Sequence, residues 1–308
     1  MQTVILGRTG LKATVAGLGC GGFSRIGLPS HGLEHAAGIV RAAWDEGVNF
    51  FDTATVYGTQ EAVGKGLAGI NRADYILSTK FPYRGKSPAD LEKTLDESLL
   101  ELDTDHVDIY HLHGVRPEDY SQVRDTLVPT MQKAKQEGKI RFLGITELFG
   151  EDTSHQMLKY ALPDDIFDVV MVGYNLLNPS AAEWVLPTTL EKKVGVLCMF
   201  AVRKALSNPA QLEIDIDRIL ERGQADPALV KTKGALDFLA REDDAGSVTE
   251  AAYRFCRHTP GIDVVLTGTG NVEHLRENLA AIQGPPLPRE TLEKLAVMFG
   301  RVDCVSGQ

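Results

Sequence analysis

The chain has 308 residues, 43% of them hydrophobic, enough to bury a large core in one domain of ordinary size or two smaller ones. Its formal charge is −10 and its basic residues are scattered, so it carries no footprint for nucleic acid. No run approaches the ~18 apolar residues of a membrane span, and MQTVILGRTG has no signal-type apolar segment, so a cytoplasmic protein without a membrane partner is expected.

In chain order, QTVIL (2–6) and LKATV (11–15) flank GRTG, a hairpin signal. Eight strand candidates follow, at 15–20, 48–53, 75–80, 107–112, 140–145, 168–173, 194–200 and 263–267. Helical periods lie between them, among them 33–47, 87–102 and 120–138; in the second, Ser87 followed by Pro88 and Asp90 reads as a capped start. Alternating strands and helices imply parallel strands joined by right-handed crossovers. No Pro/Gly/Ser-rich linker divides the chain. The expected fold is therefore α/β: a single (β/α)8 TIM barrel over residues 1–308, with an N-terminal β-hairpin.

The spacing breaks once, at 201–262, which is longer than one helix with short loops. This insert holds an acidic stretch and a helix candidate at 247–258, and is either part of a lid or a surface excursion. The four cysteines show no C-x-x-C spacing, and Cys20 and Cys198 lie in apolar runs, so neither disulfides nor a metal site is expected.

Asp52, Tyr57, Lys80 and His113 stand at or just beyond the ends of three consecutive strand candidates. In a (β/α)8 barrel, that is the face where catalytic residues gather. Each alone has an ordinary reading as a turn, surface or buried polar residue; together they suggest one site. Reduction of a carbonyl needs a proton donor beside the oxygen, and a tyrosine with its usual pKa near 10 must be tuned to serve. A Lys80 cation would lower that pKa, Asp52 would hold the lysine, and His113 would orient a substrate oxygen.

Two rival motifs are weaker. GLGCGG (17–22) lacks the G-x-x-G register and the later acidic residue of a dinucleotide fingerprint, so its glycines read better as room for a cofactor or loop. HLH (111–113) puts two histidines on one strand face, as a metal-dependent hydrolase would, but the later strands supply no further histidine ligand.

From LGRTGLKATVAGLGCGG through FDTATVYG, STK, VDIYHLH and QEGKIRFLGIT to HLRENL, the chain resembles the aldo-keto reductase superfamily. The resemblance implies a (β/α)8 barrel with a hairpin across its bottom, transferring hydride between a nicotinamide cofactor and a carbonyl or alcohol. It makes Tyr57 the general acid/base, Lys80 and Asp52 its tuning pair, and His113 the orienting group. The family holds the nicotinamide carboxamide with a Ser/Thr-Asn pair and a Gln; here those positions are Thr146-Glu147 and Met171. An aromatic that stacks on the nicotinamide is matched by Phe200, one position displaced within Met199-Phe200-Ala201. Thr269, His274, Glu277 and Asn278 fall at adenosine-contact positions. His274 replaces a common Arg and Gly268 a common Lys, which admits NAD, while Arg203, Lys204 or Arg276 could supply charge for NADP, the superfamily's usual choice.

The expected partner is a small carbonyl or sugar substrate, near Phe23, Tyr83 and the insert, with the short tail RVDCVSGQ leaving the mouth open. A sugar-dehydrogenase branch of the family, oxidising lactols, is the runner-up. The altered carboxamide contacts also leave room for a barrel that has lost catalysis, against which the four intact residues count.

Overall fold

The computed structural model describes residues 1–240 and 245–308. A two-stranded antiparallel hairpin, β1 (Thr3–Ile5) and β2 (Lys12–Thr14), precedes eight parallel strands. These are β3 (Ala16–Gly19), β4 (Phe50–Asp52), β5 (Ile76–Phe81), β6 (Val107–Val115), β7 (Ile140–Glu147), β8 (Val169–Gly173), β9 (Gly195–Met199) and β10 (Val264–Thr267). They close in sequence order, with β10 pairing back onto β3. All eight predicted strands are present. β6 and β7 run past their predicted ends, to Val115 and Glu147, so Glu147 belongs to a strand rather than to the loop after it.

The helices follow the predicted apolar periods. The helix Leu28–Asp45 is interrupted at Gly32, so its regular part begins where the periodicity does. In Pro88–Glu101 the capping box forms: the Ser87 hydroxyl accepts from the Asp90 N–H, and the Asp90 carboxylate accepts from the Ser87 N–H. That satisfies donors the first helical turn would otherwise leave unpaired.

The barrel is filled from below. Leu6, Leu11 and Ala13 of the hairpin pack with Phe50, Ile76, Ile109, Val169, Leu197 and Val264 inside it. Leu6 is fully buried, a gain of roughly 1.5–3 kcal/mol for such a side chain. Arg8 bonds across the floor, its N–H donating to the Lys193 carbonyl and its guanidinium pairing with Asp165 at 2.7 Å and Asp168 at 3.3 Å. With the amino end plugged, the cavity described below opens at the carboxyl rim.

The insert is more ordered than its polar sequence suggests. It contains helices Lys204–Ser207, Pro209–Glu221 and Val248–Arg257, the last beginning where Ser247 accepts from the Glu250 N–H. Ile216 and Ile219, spaced three apart within the acidic stretch, turn inward onto a second core with Leu206, Leu239, Leu295 and Phe299. Residues 241–244 of the insert lie outside the described residues.

Candidate functional site

Neighbouring registers bring the polar strand ends together: Asp52 pairs with Ser78 across β4 and β5, and Lys80 with His111 across β5 and β6. The Lys80 ammonium, fully buried, donates to the Asp52 carboxylate at 2.5 Å and to the Thr53 carbonyl at 2.7 Å. Ser78 donates to the other Asp52 oxygen at 2.7 Å, and His111 Nε2 lies 3.1 Å from the Ser78 hydroxyl. Burial opposes the Lys80 charge, but Asp52 more than restores it, with Tyr57 adding to the effect, and the lysine pKa stands above its ordinary value.

Tyr57 lies over this pair. Its ring centroid is 5.0 Å from Lys80 Nζ, and its hydroxyl is 3.3 Å from His113 Nε2. The expected lowering of its pKa is not the net result: burial pushes the phenol up, and Lys80 and Arg203 only partly offset that. Burial and the Lys80 charge lower His113 to about 3, so this histidine is neutral near pH 7.

Tyr57, Asp52 and His113 open into a cavity of about 1240 Å³, whose wall continues through Thr146, Glu147, Met171, Met199 and Phe200 to Thr269, His274, Glu277 and Asn278. Phe23 also lines it. Three predicted residues do not. Lys80 lies beneath Tyr57, Ala201 is buried, and Tyr83 is buried with its hydroxyl donating to Asp119 at 2.6 Å. Of the cations considered, Arg276 is turned away onto Glu46 at 2.6 Å, while Arg203 and Lys204 line the cavity. Arg203 lies 3.9 Å over the Phe200 ring and Lys204 4.3 Å over Phe23.

Two glycines shape the cavity by what they lack. A Cβ on Gly21 would stand 2.6–2.9 Å from three atoms of the Tyr57 ring, so the GLGCGG segment makes room for a side chain of the protein itself. At Gly268 a Cβ would strike the Gly19 carbonyl oxygen, so the lysine common there in the family has no space on this backbone.

The tail is bonded to the cavity rim. Asn175 and Asn178 donate to the carbonyls of Ser306 and Val305 at 3.1 and 2.8 Å, the Ala205 N–H donates to Gly307, and Gln308 joins the cavity wall. The insert contributes Ser247, Thr249, Glu250 and Tyr253, which makes part of it wall rather than mere surface. The HLH pair splits, His111 facing Ser78 and His113 facing Tyr57, and the described residues contain no group of three or more metal-ligating side chains.

Sequence reasoning missed Ser78, Gly21 as the seat of Tyr57, and the loop residues Phe149 and His155. His155 is fully buried against Glu147. Its one available signal was a histidine beside two acidic residues (EDTSH) in an otherwise ordinary loop.

A closed parallel barrel, plugged at its amino end and carrying this polar cluster in a deep carboxyl-rim cavity, has the architecture of the barrel enzymes. The aldo/keto reductase family model matches residues 18–297, and the chain belongs to that family; it is an NAD(P)-dependent oxidoreductase. L-galactose dehydrogenase of Arabidopsis thaliana is 30% identical over 310 residues, covering 96% of this chain and 93% of its own. Aldo-keto reductase YhdN of Bacillus subtilis (strain 168) is 27% identical over 302 residues, covering 90% and 88%. The solved holo form of aldo-keto reductase AKR11C1 from Bacillus halodurans superposes with a TM-score of 0.71 at 24% identity, covering 96% of this chain and 95% of that one.

The residues present fit a nicotinamide nucleotide. The cavity is continuous from Tyr57 to Asn278, and Gly19, Gly21, Gly22 and Gly268 bring bare backbone to its wall. Arg203, half-buried in the cavity wall, forms no ion pair with a carboxylate among the described residues, which suits a diphosphate.

Proposed function

We propose that the protein interconverts a small carbonyl compound and its alcohol by hydride transfer, with Tyr57 as general acid/base. The observation that carries this is the Tyr57 hydroxyl, held at the cavity floor beside neutral His113 and over the buried Lys80–Asp52 pair. A bound nicotinamide supplies or accepts the hydride. In reduction the Tyr57 proton passes to the carbonyl oxygen; in oxidation the phenolate takes it from the alcohol. The Lys80 charge lowers the cost of that phenolate inside an apolar wall. His113, with its proton on Nε2, donates a hydrogen bond to the same oxygen and adds no second charge.

Thr146, Glu147, Met171, Met199 and Phe200 would surround the nicotinamide end, and Thr269, His274, Glu277 and Asn278 the adenosine end. Among the described residues, the cations of the cavity wall, Arg203 and Lys204, lie beside Phe200 and Phe23 rather than at the adenosine end, and Glu277 adds a negative charge there. Among the described residues, that end of the wall offers a 2′-phosphate no arginine or lysine, which supports NAD over NADP and reverses the lean that the sequence alone suggests. Calorimetric titration with NADH and NADPH tests this: tighter binding of NADH is expected, and binding of neither would overturn the proposed function.

A second reading, lactol oxidation of a sugar, is favoured by the full-length similarity to L-galactose dehydrogenase. Turnover on L-galactose and related aldoses with NAD⁺, set against a panel of simple aldehydes with NADH, separates the two. Three buried, unbridged cysteines, Cys20, Cys198 and Cys256, suit a reducing cytoplasm.

A further inference from the structure

At the end of β7, where the family carries a neutral amide, this chain has a carboxylate that is not solvated but clamped. Glu147 Oε1 accepts from the Gly173 N–H at 2.7 Å, and His155 Nδ1 lies 3.0 and 2.9 Å from the two carboxylate oxygens. Both side chains are fully buried, yet Glu147 forms part of the cavity wall.

His155 is held from every side. Its Nε2 is 3.1 Å from the Ser180 hydroxyl, which donates to Asn178 Oδ1 at 2.6 Å. Its ring stacks on Phe149, with centroids 5.5 Å apart and planes within 13°. The Asp152 carboxylate accepts from the Gln156 and Met157 N–H groups at 2.8 Å, closing the turn that presents His155. The backbone of His155 has φ 61°, a left-handed conformation that side chains disfavour and that surrounding contacts must enforce.

We propose that His155 is a positioning residue that keeps Glu147 ionised and fixed, so that the cavity wall presents a negative charge to the nicotinamide and favours its oxidised, cationic form. This rests on the nicotinamide-dependent reading above. The pair is neutral as a whole but oriented: Glu147 is a residue of the cavity wall and His155 is not, so the carboxylate is the nearer of the two charges to the cavity. A dipole with its negative end at the ring stabilises a cation and does little for a neutral dihydropyridine. Burial pushes the Glu147 carboxyl up, and the His155 charge and the Gly173 N–H act against that rise; burial also works against the His155 charge, and Glu147 overcomes it, leaving the imidazole pKa raised. Met171, in place of the family's glutamine, adds no competing polar group on β8.

The test is calorimetric affinity for NAD⁺ and NADH, and for the phosphorylated pair if that binds more tightly. Wild-type protein is expected to bind the oxidised form at least as tightly as the reduced one. Glu147→Gln, of the same shape, should weaken the oxidised form roughly tenfold relative to the reduced one, the size of one nearby charge at intermediate dielectric. His155→Gln should shift the same ratio in the same direction, because a buried Glu147 without its partner takes up a proton. A merely structural role would weaken both forms alike. An unchanged ratio in both variants, or a wild-type protein that strongly prefers the reduced form, overturns the inference. Wild-type protein that binds neither nucleotide overturns the function on which it rests.

Discussion

The Tyr57 hydroxyl stands 3.3 Å from His113 Nε2, two side chains 56 residues apart that meet because β4 and β6 end on the same rim. If this hydroxyl carries the proton, Tyr57→Phe should lower kcat/KM by roughly 10²–10⁴-fold, the range for a lost general acid/base. Calorimetry should show unchanged nucleotide affinity, and thermal melting an unchanged fold. Turnover near the wild-type rate would remove Tyr57 from the chemistry.

The buried Lys80–Asp52 pair, at 2.5 Å, predicts an asymmetric stability pattern. Asp52→Asn or Lys80→Met alone leaves one buried charge uncompensated and should cost about 3–5 kcal/mol in urea unfolding. The double variant should be less destabilised than the sum of the two. Additivity would show that the two groups are not coupled.

His113 gives a pH signature. Its folded pKa, depressed to about 3 by burial and Lys80, lies below the ordinary histidine value of 6.5. The unfolded chain therefore binds the proton more readily, so stability is full above about 6.5 and is lost as pH falls towards 3. Comparing the melting of wild type and His113→Gln between pH 7 and pH 4 isolates this: the advantage of wild type should shrink on acidification. A constant difference would mean that His113 titrates normally.

Gly21→Ala should act on Tyr57 rather than on the fold. The added methyl would crowd three adjacent atoms of the phenol ring at 2.6–2.9 Å and must push the ring from its place. Turnover should fall more than tenfold while melting changes little, since a misplacement of about 1 Å costs on the order of 10² in rate. Full activity in this variant would show that the ring has room elsewhere.

His274→Arg should restore a 2′-phosphate contact. Arg276 cannot serve, being bonded to Glu46, and Gly268 has no room for a side chain. One new charged hydrogen bond predicts roughly tenfold tighter NADPH with little change for NADH. Unaltered NADPH affinity would place the ribose away from His274.

The barrel was legible because its signals are local: VDIYHLH and NFFDTATVYG each read as an apolar strand ending in a polar group, and their order alone forces them onto one rim. The burial that raises Tyr57 was not legible, because it depends on the balance of Lys80, Arg203 and apolar wall atoms brought together from distant segments. His155 was hidden for a related reason. A histidine in a loop looks exposed until the fold places Phe149, Ser180 and Glu147 around it. The helix Pro209–Glu221 was obscured by its charges, since only Ile216 and Ile219 mark its inward face and their partners arrive near the end of the chain.

The floor of the barrel also sets a timetable. Arg8 anchors the hairpin to Asp165, Asp168 and Lys193, partners roughly 160 to 185 residues further along. Contacts of such sequence separation close slowly, because the chain entropy of a long loop is lost before any contact rewards it. As the chain emerges from the ribosome, the hairpin must wait for the strands through β9 before Leu6 has a pocket to enter. The hairpin is thus among the last elements to settle, and a nascent chain halted before β9 would carry an unseated apolar plug.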